Sequence, residues 1–296
     1  MAIFKGAGVA IVTPFTDDYQ VNYDKLAEII DMQVAGGTDA IIICGTTGES
    51  ATLSMEEHRE VIKFAVEHTA HRIPVIAGAG SNCTETAITL SKDAEEDGAD
   101  ALLLVTPYYN KASQRGLIAH YSAVAEQVSL PIIMYNVPSR TGTNIQPATA
   151  VALAKSQKNI AAIKEASGNL SQIAELMALA DGCIDLYSGN DDQTVPILSL
   201  GGIGVISVLS NVAPKQAHDI VETFLSGDIV NAARLQLAAV DIIKALFCDV
   251  NPIPVKEAMN QMGLNVGPCR LPLCDMDEAG KARVRQSLIN YGIAVK

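Results

Sequence analysis

The stretch that decides the fold is residues 40–80, AIIICGTTGESATLSMEEHREVIKFAVEHTAHRIPVIAGAG. Residues 40–45 and 74–80 are apolar runs of strand length, as expected for strands buried on both faces. Between them, Met55–Thr69 has apolar residues at helical spacing with charged residues between them. Ser54, with a glutamate three positions later, forms a capping box that starts this helix. The stretch therefore predicts one strand–helix–strand unit of a parallel sheet.

The same alternation of strands and helices continues along the chain. Strict alternation implies a parallel sheet, and eight roughly even repeats favour closure into a (β/α)8 TIM barrel. The alternative is an open doubly wound sheet, which usually has Gly-x-Gly-x-x-Gly after its first strand, but residues 9–16 contain no such run. The predicted strands are residues 8–13, 40–45, 74–80, 101–107, 131–136, 160–165, 185–188 and 204–207, and the predicted helices include 23–35, 55–69, 85–97 and 117–128.

After Pro214 the pattern becomes wholly helical, and it predicts a second region. Its predicted helices are residues 215–225, 229–247, 254–262 and 277–291. The first of them completes the eighth repeat of the barrel. A barrel domain typically needs ~250 residues, so the chain length accommodates a barrel and an extension. We therefore predict a catalytic barrel over residues 1–225 and a C-terminal helical extension over residues 226–296.

The composition argues against several classes of function. The net charge of -12 repels phosphate backbones, so nucleic-acid binding is not expected. The longest apolar runs are far shorter than the ~20 residues that cross a bilayer, and the N-terminus does not have the pattern of a signal peptide. A cytoplasmic location without a membrane partner is the expectation. The six cysteines form no Cys-x-x-Cys pair and are expected to be free thiols.

The residue that points most clearly to chemistry is Lys164. Active sites of such barrels lie at the C-terminal ends of the strands, and Lys164 follows the apolar residues 160–163 near one of these ends. Burial of an ammonium ion is costly, so such a lysine tends to lose its proton. The neutral amine is a nucleophile that condenses with a ketone. The alternative is a lysine that pairs with Glu165 or reaches solvent.

The turn after the second predicted strand, residues 45–50 (GTTGES), suggests a binding site for a small carboxylate. Its glycines allow a sharp turn, and its amides and the hydroxyls of Thr46 and Thr47 can donate to an anion. The turn lacks the lysine of a phosphate-binding loop, so nucleotide binding is not expected. The alternative is an ordinary connecting loop.

Two phenols and a guanidinium occur at other predicted strand ends. Tyr135 and Tyr109 could relay protons to and from a nearby amine, although a tyrosine at such a position usually packs in the core or at the rim. Arg140 could bind a carboxylate through two hydrogen bonds, although an exposed arginine on a loop is more often simply solvated.

Metal-assisted chemistry is not indicated. The histidines fall on predicted helices or between them, not at strand ends; they are His58, His68, His71, His120 and His218. This distribution argues against a class II, zinc-dependent aldolase. We expect neither a metal nor a cofactor.

Three motifs together resemble one known family. They are GTTGE at residues 45–49, YNVPSRTG at 135–142 and IKEA at 163–166, and the likeness runs nearly end to end. The sequence resembles the dihydrodipicolinate synthase / N-acetylneuraminate lyase family, and the synthases more closely than the lyases. The resemblance implies a class I, Schiff-base-forming aldolase. It implies condensation of pyruvate with L-aspartate-4-semialdehyde to 4-hydroxy-tetrahydrodipicolinate in the diaminopimelate and lysine pathway.

The resemblance also implies catalytic roles for four residues. Lys164 would form the Schiff base with pyruvate, and Tyr135 would donate and accept protons. Thr46 and Tyr109 would complete a proton relay with Tyr135. In the family this second tyrosine comes from a neighbouring subunit.

Three further residues would contact the substrates. By resemblance, Thr47 and Ile206 contact pyruvate, and Arg140 receives the carboxylate of the semialdehyde. The sialic-acid lyases do not share the Ser-Arg-Thr-Gly sequence that contains Arg140. An N-acetylneuraminate or 2-keto-3-deoxy-sugar-acid lyase is the alternative enzyme. A non-catalytic ligand-binding barrel is the alternative from another class, although a mere binder needs no nucleophile such as Lys164.

Assembly and regulation are also implied by the resemblance. The resemblance implies a homotetramer built from tight dimers, and we expect a dimer at minimum. Many members of the family are inhibited by L-lysine at the dimer interface. Met55 replaces a histidine of the inhibited bacterial members, and Thr86 replaces the glutamate that meets the amine of the effector. We therefore expect little or no inhibition by L-lysine. The alternative is that Asn82, Tyr108 and water hold the effector well enough. The positions that do match the inhibited pattern are Ser50, Ala51, His58, Asn82 and Tyr108.

Overall fold

The structure, a computed structural model, describes residues 2–296 and contains a closed barrel of eight strands. The strands are β1 (Gly6–Ala10), β2 (Ala40–Ile43), β3 (Val75–Gly78), β4 (Ala101–Val105), β5 (Ile132–Asn136), β6 (Ile160–Glu165), β7 (Asp185–Ser188) and β8 (Gly204–Ser207). Each strand pairs in parallel with the next, and β1 closes the barrel by pairing in parallel with β8. The predicted (β/α)8 TIM barrel is confirmed.

Helices follow the strands and continue after the last one. They are α1 (Tyr23–Ala35), α2 (Met55–Thr69), α3 (Thr84–Glu96), α4 (Gln114–Ala125), α5 (Pro138–Thr141), α6 (Pro147–Ser156), α7 (Leu170–Ala180), α8 (Thr194–Ser199), α9 (Pro214–Leu225), α10 (Ile229–Ala238), α11 (Val240–Leu246), α12 (Ile253–Gln261) and α13 (Glu278–Asn290). The capping box predicted at Ser54 and Glu57 is present. The division of the chain at residue 225 stays a prediction.

Several predicted elements differ from the structure in their bounds. The helix predicted over residues 117–128 spans Gln114–Ala125, and the second, third and fourth strands end two residues before their predicted ends. The first strand begins two residues before the predicted start, because Gly6 pairs with Gly204 of β8, and it ends at Ala10. Residues 11–13 misled the prediction because they are buried although they lie beyond the strand. The predicted helix over residues 229–247 is divided into α10 and α11 at Ala239, whose amide donates to both Leu235 O and Gln236 O at 3.2 Å.

The N-terminal end of the barrel is closed by an aromatic pair. The rings of Phe4 and Tyr187 are stacked with their centroids 4.4 Å apart. The Tyr187 hydroxyl donates to the Phe4 carbonyl at 2.6 Å. Both side chains belong to the cluster of buried residues inside the barrel, which also contains Tyr135 and Ile206. Access to the interior is therefore from the C-terminal ends of the strands.

The extension packs back onto the barrel through a buried ion pair. Lys256 of α12 is 2% exposed, and its ammonium lies 2.8 Å from Glu49 Oε1 in the turn after β2. The same ammonium donates to the carbonyls of Thr13 and Pro268. The other oxygen of Glu49 accepts from the Arg270 amide at 2.9 Å. Residues 256 and 270 therefore hold the turn after β2 from its outer side.

No helix within residues 2–296 has the length and apolar character needed to cross a bilayer. The cytoplasmic location stays a prediction. All six cysteines are free thiols, as expected from their spacing.

Candidate active site

A cavity of about 180 Å³ opens at the C-terminal ends of the strands. Five of the seven site residues expected from the sequence line it: Thr46, Thr47, Tyr135, Arg140 and Lys164. They come from the turn after β2, from β5, from the loop after β5 and from β6. The parallel barrel brings them together because equivalent ends of all strands lie at one end of it.

Lys164 and Tyr135 form the centre of this cavity. They are paired neighbours on β6 and β5, and Lys164 Nζ lies 4.2 Å from the centroid of the Tyr135 ring. Lys164 is 6% exposed. Burial lowers the pKa of Lys164 to about 7, an effect that the Asp191 carboxylate opposes and the Arg140 guanidinium reinforces. At neutral pH a substantial fraction of the amine is therefore unprotonated and nucleophilic.

Glycine 189 makes room for this lysine. A Cβ atom at Gly189 would lie 3.0 Å from Lys164 Cε and 2.7 Å from Ala166 Cβ. Contacts at these distances would force the lysine chain or the strand end to shift. The alternative in which Lys164 pairs with Glu165 is wrong, because the Glu165 carboxylate instead accepts from Asn136 and Ser167.

Tyr135 is suited to move protons beside the amine. The phenol is buried within the barrel. Burial raises the pKa of Tyr135, while the Arg140 guanidinium and a hydrogen bond with the Thr46 side chain lower it in part. The phenol therefore remains protonated at neutral pH and can donate to a developing anion in the cavity.

Thr47 is held by a residue that the sequence analysis did not identify. The Asn251 side chain donates to Thr47 Oγ1 at 2.9 Å, and Asn251 also lines the cavity. Because the amide donates to the threonine oxygen, the hydroxyl proton of Thr47 is free to donate elsewhere. Asn251 belongs to the segment between α11 and α12, so the extension contributes directly to the cavity.

Arg140 and the two expected residues outside the cavity lining lie in different environments. Arg140 is exposed on α5 and lines the cavity at its edge. Ile206 belongs to the buried cluster inside the barrel with Tyr135, but it is not among the residues that line the cavity. Tyr109 is 89% exposed, has a φ of 73°, and is also outside the lining. A single chain therefore does not bring Tyr109 to Lys164.

A second, larger cavity of about 470 Å³ lies beside the first and shares Thr46 and Arg140 with it. The residues expected at an effector site are grouped there, with the exception of Asn82. Those that line it are Ser50, Ala51, Met55, His58, Thr86 and Tyr108.

Within residues 2–296, no group of three or more histidine, cysteine, aspartate or glutamate side chains is arranged to hold a metal ion. The chemistry available in the first cavity is that of an amine, a phenol, three hydroxyls and a guanidinium. This set can form a covalent adduct with a keto acid and bind carboxylates.

Residues 3–290 match the model of the dihydrodipicolinate synthetase family. The chain belongs to this family. It is 62% identical over 279 residues to the 4-hydroxy-tetrahydrodipicolinate synthase of Lachnoclostridium phytofermentans, a match that covers 94% of this chain and 95% of that relative.

Solved structures of the family superpose closely on this chain. The dihydrodipicolinate synthase from Aquifex aeolicus has a TM-score of 0.97 at 43% identity and covers 99% of this chain and 100% of its own. A structure described as the first monomeric dihydrodipicolinate synthase variant has a TM-score of 0.96 at 41% identity, covering 99% of this chain and 98% of its own. The fold of the family is thus retained over the whole barrel and the extension.

Proposed function

We propose that the protein condenses pyruvate with L-aspartate-4-semialdehyde to form 4-hydroxy-tetrahydrodipicolinate. The observation that carries the proposal is the buried Lys164 amine, with its pKa lowered to about 7, against the Tyr135 ring. The relative from Lachnoclostridium phytofermentans, at 62% identity, is named 4-hydroxy-tetrahydrodipicolinate synthase. The proposed role of the cavity is to convert pyruvate into an enamine and to add that enamine to the aldehyde.

The reaction begins when the neutral Lys164 amine attacks the ketone carbon of pyruvate. Loss of water gives an iminium, and loss of a methyl proton from that iminium gives an enamine. The enamine carbon attacks the aldehyde of the second substrate and forms a carbon–carbon bond. The amino group of the semialdehyde then displaces Lys164 and closes the ring, so one water is released overall. Tyr135 is proposed to transfer protons in these steps together with Thr46, a role supported by the 4.2 Å distance between its ring centroid and Lys164 Nζ.

Three residues are proposed to bind the substrates. The Thr47 hydroxyl, held by Asn251, donates to the pyruvate carboxylate. Ile206 packs against pyruvate from the barrel interior. Arg140, at the edge of the cavity, receives the carboxylate of the semialdehyde.

A parallel assay tests the proposal. The protein is incubated with pyruvate and L-aspartate-4-semialdehyde, and separately with N-acetylneuraminate and with a 2-keto-3-deoxy-sugar acid. We expect turnover in the first assay alone. In addition, pyruvate and borohydride should label Lys164, as located by peptide mass spectrometry. Cleavage of a sugar acid without condensation, or labelling of another lysine, would contradict the proposal.

Arg140→Ala should weaken binding of the semialdehyde but not binding of pyruvate. Loss of a charge-assisted hydrogen bond costs ~1.5–3 kcal/mol, so the KM of the semialdehyde should rise roughly 10- to 150-fold. The concentration of pyruvate that half-saturates borohydride trapping should change little. The exposed Arg115 provides a matched control, and Arg115→Ala should leave both values unchanged. Equal weakening of pyruvate trapping in Arg140→Ala would refute the assigned role.

Tyr109 should act in the site of a partner subunit, in an assembly that we propose to be a tetramer of two tight dimers. Its 89% exposure in the single chain supports this role. Tyr109→Phe and Lys164→Arg should each be nearly inactive as homo-oligomers. After the two are mixed and allowed to exchange subunits, about one quarter of the sites should combine Lys164 with a partner's tyrosine, because half of the dimers are mixed and each has one intact site.

Absence of any recovery in a mixture shown by mass spectrometry to contain mixed dimers would overturn the cross-subunit role of Tyr109. A fully active monomer in sedimentation experiments would overturn it as well. Tyr108→Phe, at the adjacent position, is the matched control for the single substitution.

L-Lysine should inhibit weakly or not at all. Met55 and Thr86 line the second cavity and place no negative charge where an effector amine would need one. Loss of such a partner costs ~1.5–3 kcal/mol, which weakens an inhibitory constant roughly 10- to 150-fold. Thr86→Glu should therefore increase sensitivity to lysine, whereas the uncharged Thr86→Gln should not. Strong inhibition of the unmodified protein at sub-millimolar lysine would contradict this expectation.

A further inference from the structure

The pair of residues that follows Tyr135 and Lys164 has no assigned role. Asn136 and Glu165 are paired neighbours on β5 and β6, one position beyond the reacting pair, and they are 0% and 1% exposed. Successive side chains of a strand point to opposite faces. Tyr135 belongs to the cluster inside the barrel, so Asn136 and Glu165 face the surrounding helices and loops.

The Asn136 side chain closes the loop that carries Arg140. Its Nδ2 group donates to Asn144 Oδ1 at 2.9 Å and also to Glu165 Oε1. Its Oδ1 atom accepts from the Ile145 amide at 2.9 Å. One amide therefore joins both ends of the segment formed by residues 137–144 and uses both of its N–H groups to do so.

Glu165 and Asn144 extend this network to neighbouring elements. The second carboxylate oxygen of Glu165 accepts from the hydroxyl and the amide of Ser167. Asn144 donates to Gln172 Oε1 at 2.7 Å, and its carbonyl accepts from Gln114 Nε2 at 2.8 Å. The loop is thereby fixed to β6, α4 and α7.

Arg140 depends on this loop for its position. Within residues 2–296, the Arg140 guanidinium has neither a hydrogen bond nor an ion pair. Its place at the cavity edge is consequently set by the backbone that carries it. A fixed backbone reduces the conformational entropy that is lost when a substrate carboxylate is bound.

We infer that Asn136 and Glu165 are positioning residues that hold Arg140 for the second substrate. The inference rests on the proposed function. It assigns the inward-facing pair, Tyr135 and Lys164, to the covalent chemistry and the outward-facing pair to substrate selection. Loss of the outward-facing pair should therefore weaken binding of the semialdehyde and leave formation of the Schiff base with pyruvate unchanged.

The test substitution is Asn136→Asp, which preserves the shape of the side chain. The new carboxyl group can still accept from the Ile145 amide, but it has at most one proton. Even when that proton is shared with Glu165, no donor is left for Asn144. We expect the KM of the semialdehyde to rise about tenfold, the lower part of the effect of losing Arg140 itself. The pyruvate concentration that half-saturates borohydride trapping, and the pH profile of trapping, should change less than about twofold.

The matched control is Asn159→Asp, the same change next to the opposite end of β6. Asn159 Nδ2 donates to the carbonyls of Ala125 and Val128 at 3.0 Å. These bonds lie at the N-terminal end of β6, whereas the cavity that Arg140 lines is at the C-terminal ends of the strands. Thermal unfolding of both variants measures any loss of stability. The control should leave the KM of the semialdehyde unchanged even if it lowers stability equally.

A double-variant cycle decides whether Asn136 acts through Arg140. If it does, adding Asn136→Asp to Arg140→Ala should raise the KM of the semialdehyde no further. Multiplication of the two effects would overturn the inference, as would a shifted pH profile of trapping. If Asn136→Asp does not fold, Asn144→Ala should give the same pattern. It removes the side-chain bonds of Asn144 to Asn136 and Gln172 but leaves the bonds of Asn136 to Glu165 and the Ile145 amide. Failure of the proposed function itself would be recognised separately, since the unmodified protein would then not consume the semialdehyde.

Discussion

Lys164→Arg should abolish the borohydride-stable adduct with pyruvate and lower kcat at least roughly 1000-fold, equivalent to about 4 kcal/mol of activation free energy. The guanidinium remains protonated at every accessible pH and cannot attack a ketone. Lys158→Arg is the matched control, because Lys158 is exposed just before β6. It should retain full activity. Substantial trapping in Lys164→Arg would show that another amine is the nucleophile.

The pH dependence of trapping gives a second measurement on the same residue. Burial lowers the pKa of Lys164 from 10.5 to about 7. The neutral amine therefore predominates above about pH 7, whereas an exposed lysine would remain protonated up to about pH 10. The initial rate of adduct formation should fall about tenfold per pH unit below pH 7. A rate that rises steadily up to pH 10 would contradict the assignment.

Lys256→Met should lower the free energy of unfolding by about 3–5 kcal/mol, because it leaves the buried Glu49 carboxylate without its cation. Urea unfolding at one fixed protein concentration measures the change. Lys215→Met is the matched control: the Lys215 side chain is 71% exposed in its pair with Asp219, and such pairs contribute only about 0.3–0.5 kcal/mol.

Adding Glu49→Gln to Lys256→Met should recover part of this loss, because the unpaired charge is removed while an oxygen remains to accept from the Arg270 amide. A double variant as unstable as the sum of the two single variants would show that the two residues contribute independently. It would also remove the reason to regard them as an ion pair.

The sequence predicted the barrel and drew attention to Lys164 because both depend on local patterns. A lysine at the end of an apolar strand is unusual by itself, so Lys164 could be identified without knowledge of its neighbours. The strands and the helix at Met55–Thr69 followed from periodicity and from the cap at Ser54. Strand ends were less certain because buried residues such as Ile11 continue the apolar run beyond the last paired position.

Contacts between distant parts of the chain could not be predicted in this way. Asn251 contacts Thr47, which is 204 positions away in the sequence, and Lys256 contacts Glu49, which is 207 positions away. The sequence around Lys256 does not distinguish it from other polar residues of a helical region, and the prolines after Asn251 indicate only a break between helices. Tyr109 is a different case, because a residue proposed to act in a partner's site has no environment in one chain that could confirm it.

The contacts of Asn251, Lys256 and Arg270 with the turn after β2 also set an order of events during protein synthesis. All eight strands, and with them Lys164 and Tyr135, leave the ribosome before Asn251, Lys256 and Arg270 do. A nascent barrel at that stage has its amine and its phenol, but the turn that carries Thr46 and Thr47 has not yet received its three partners. The turn therefore gains its full set of contacts only after residue 270 has left the ribosome.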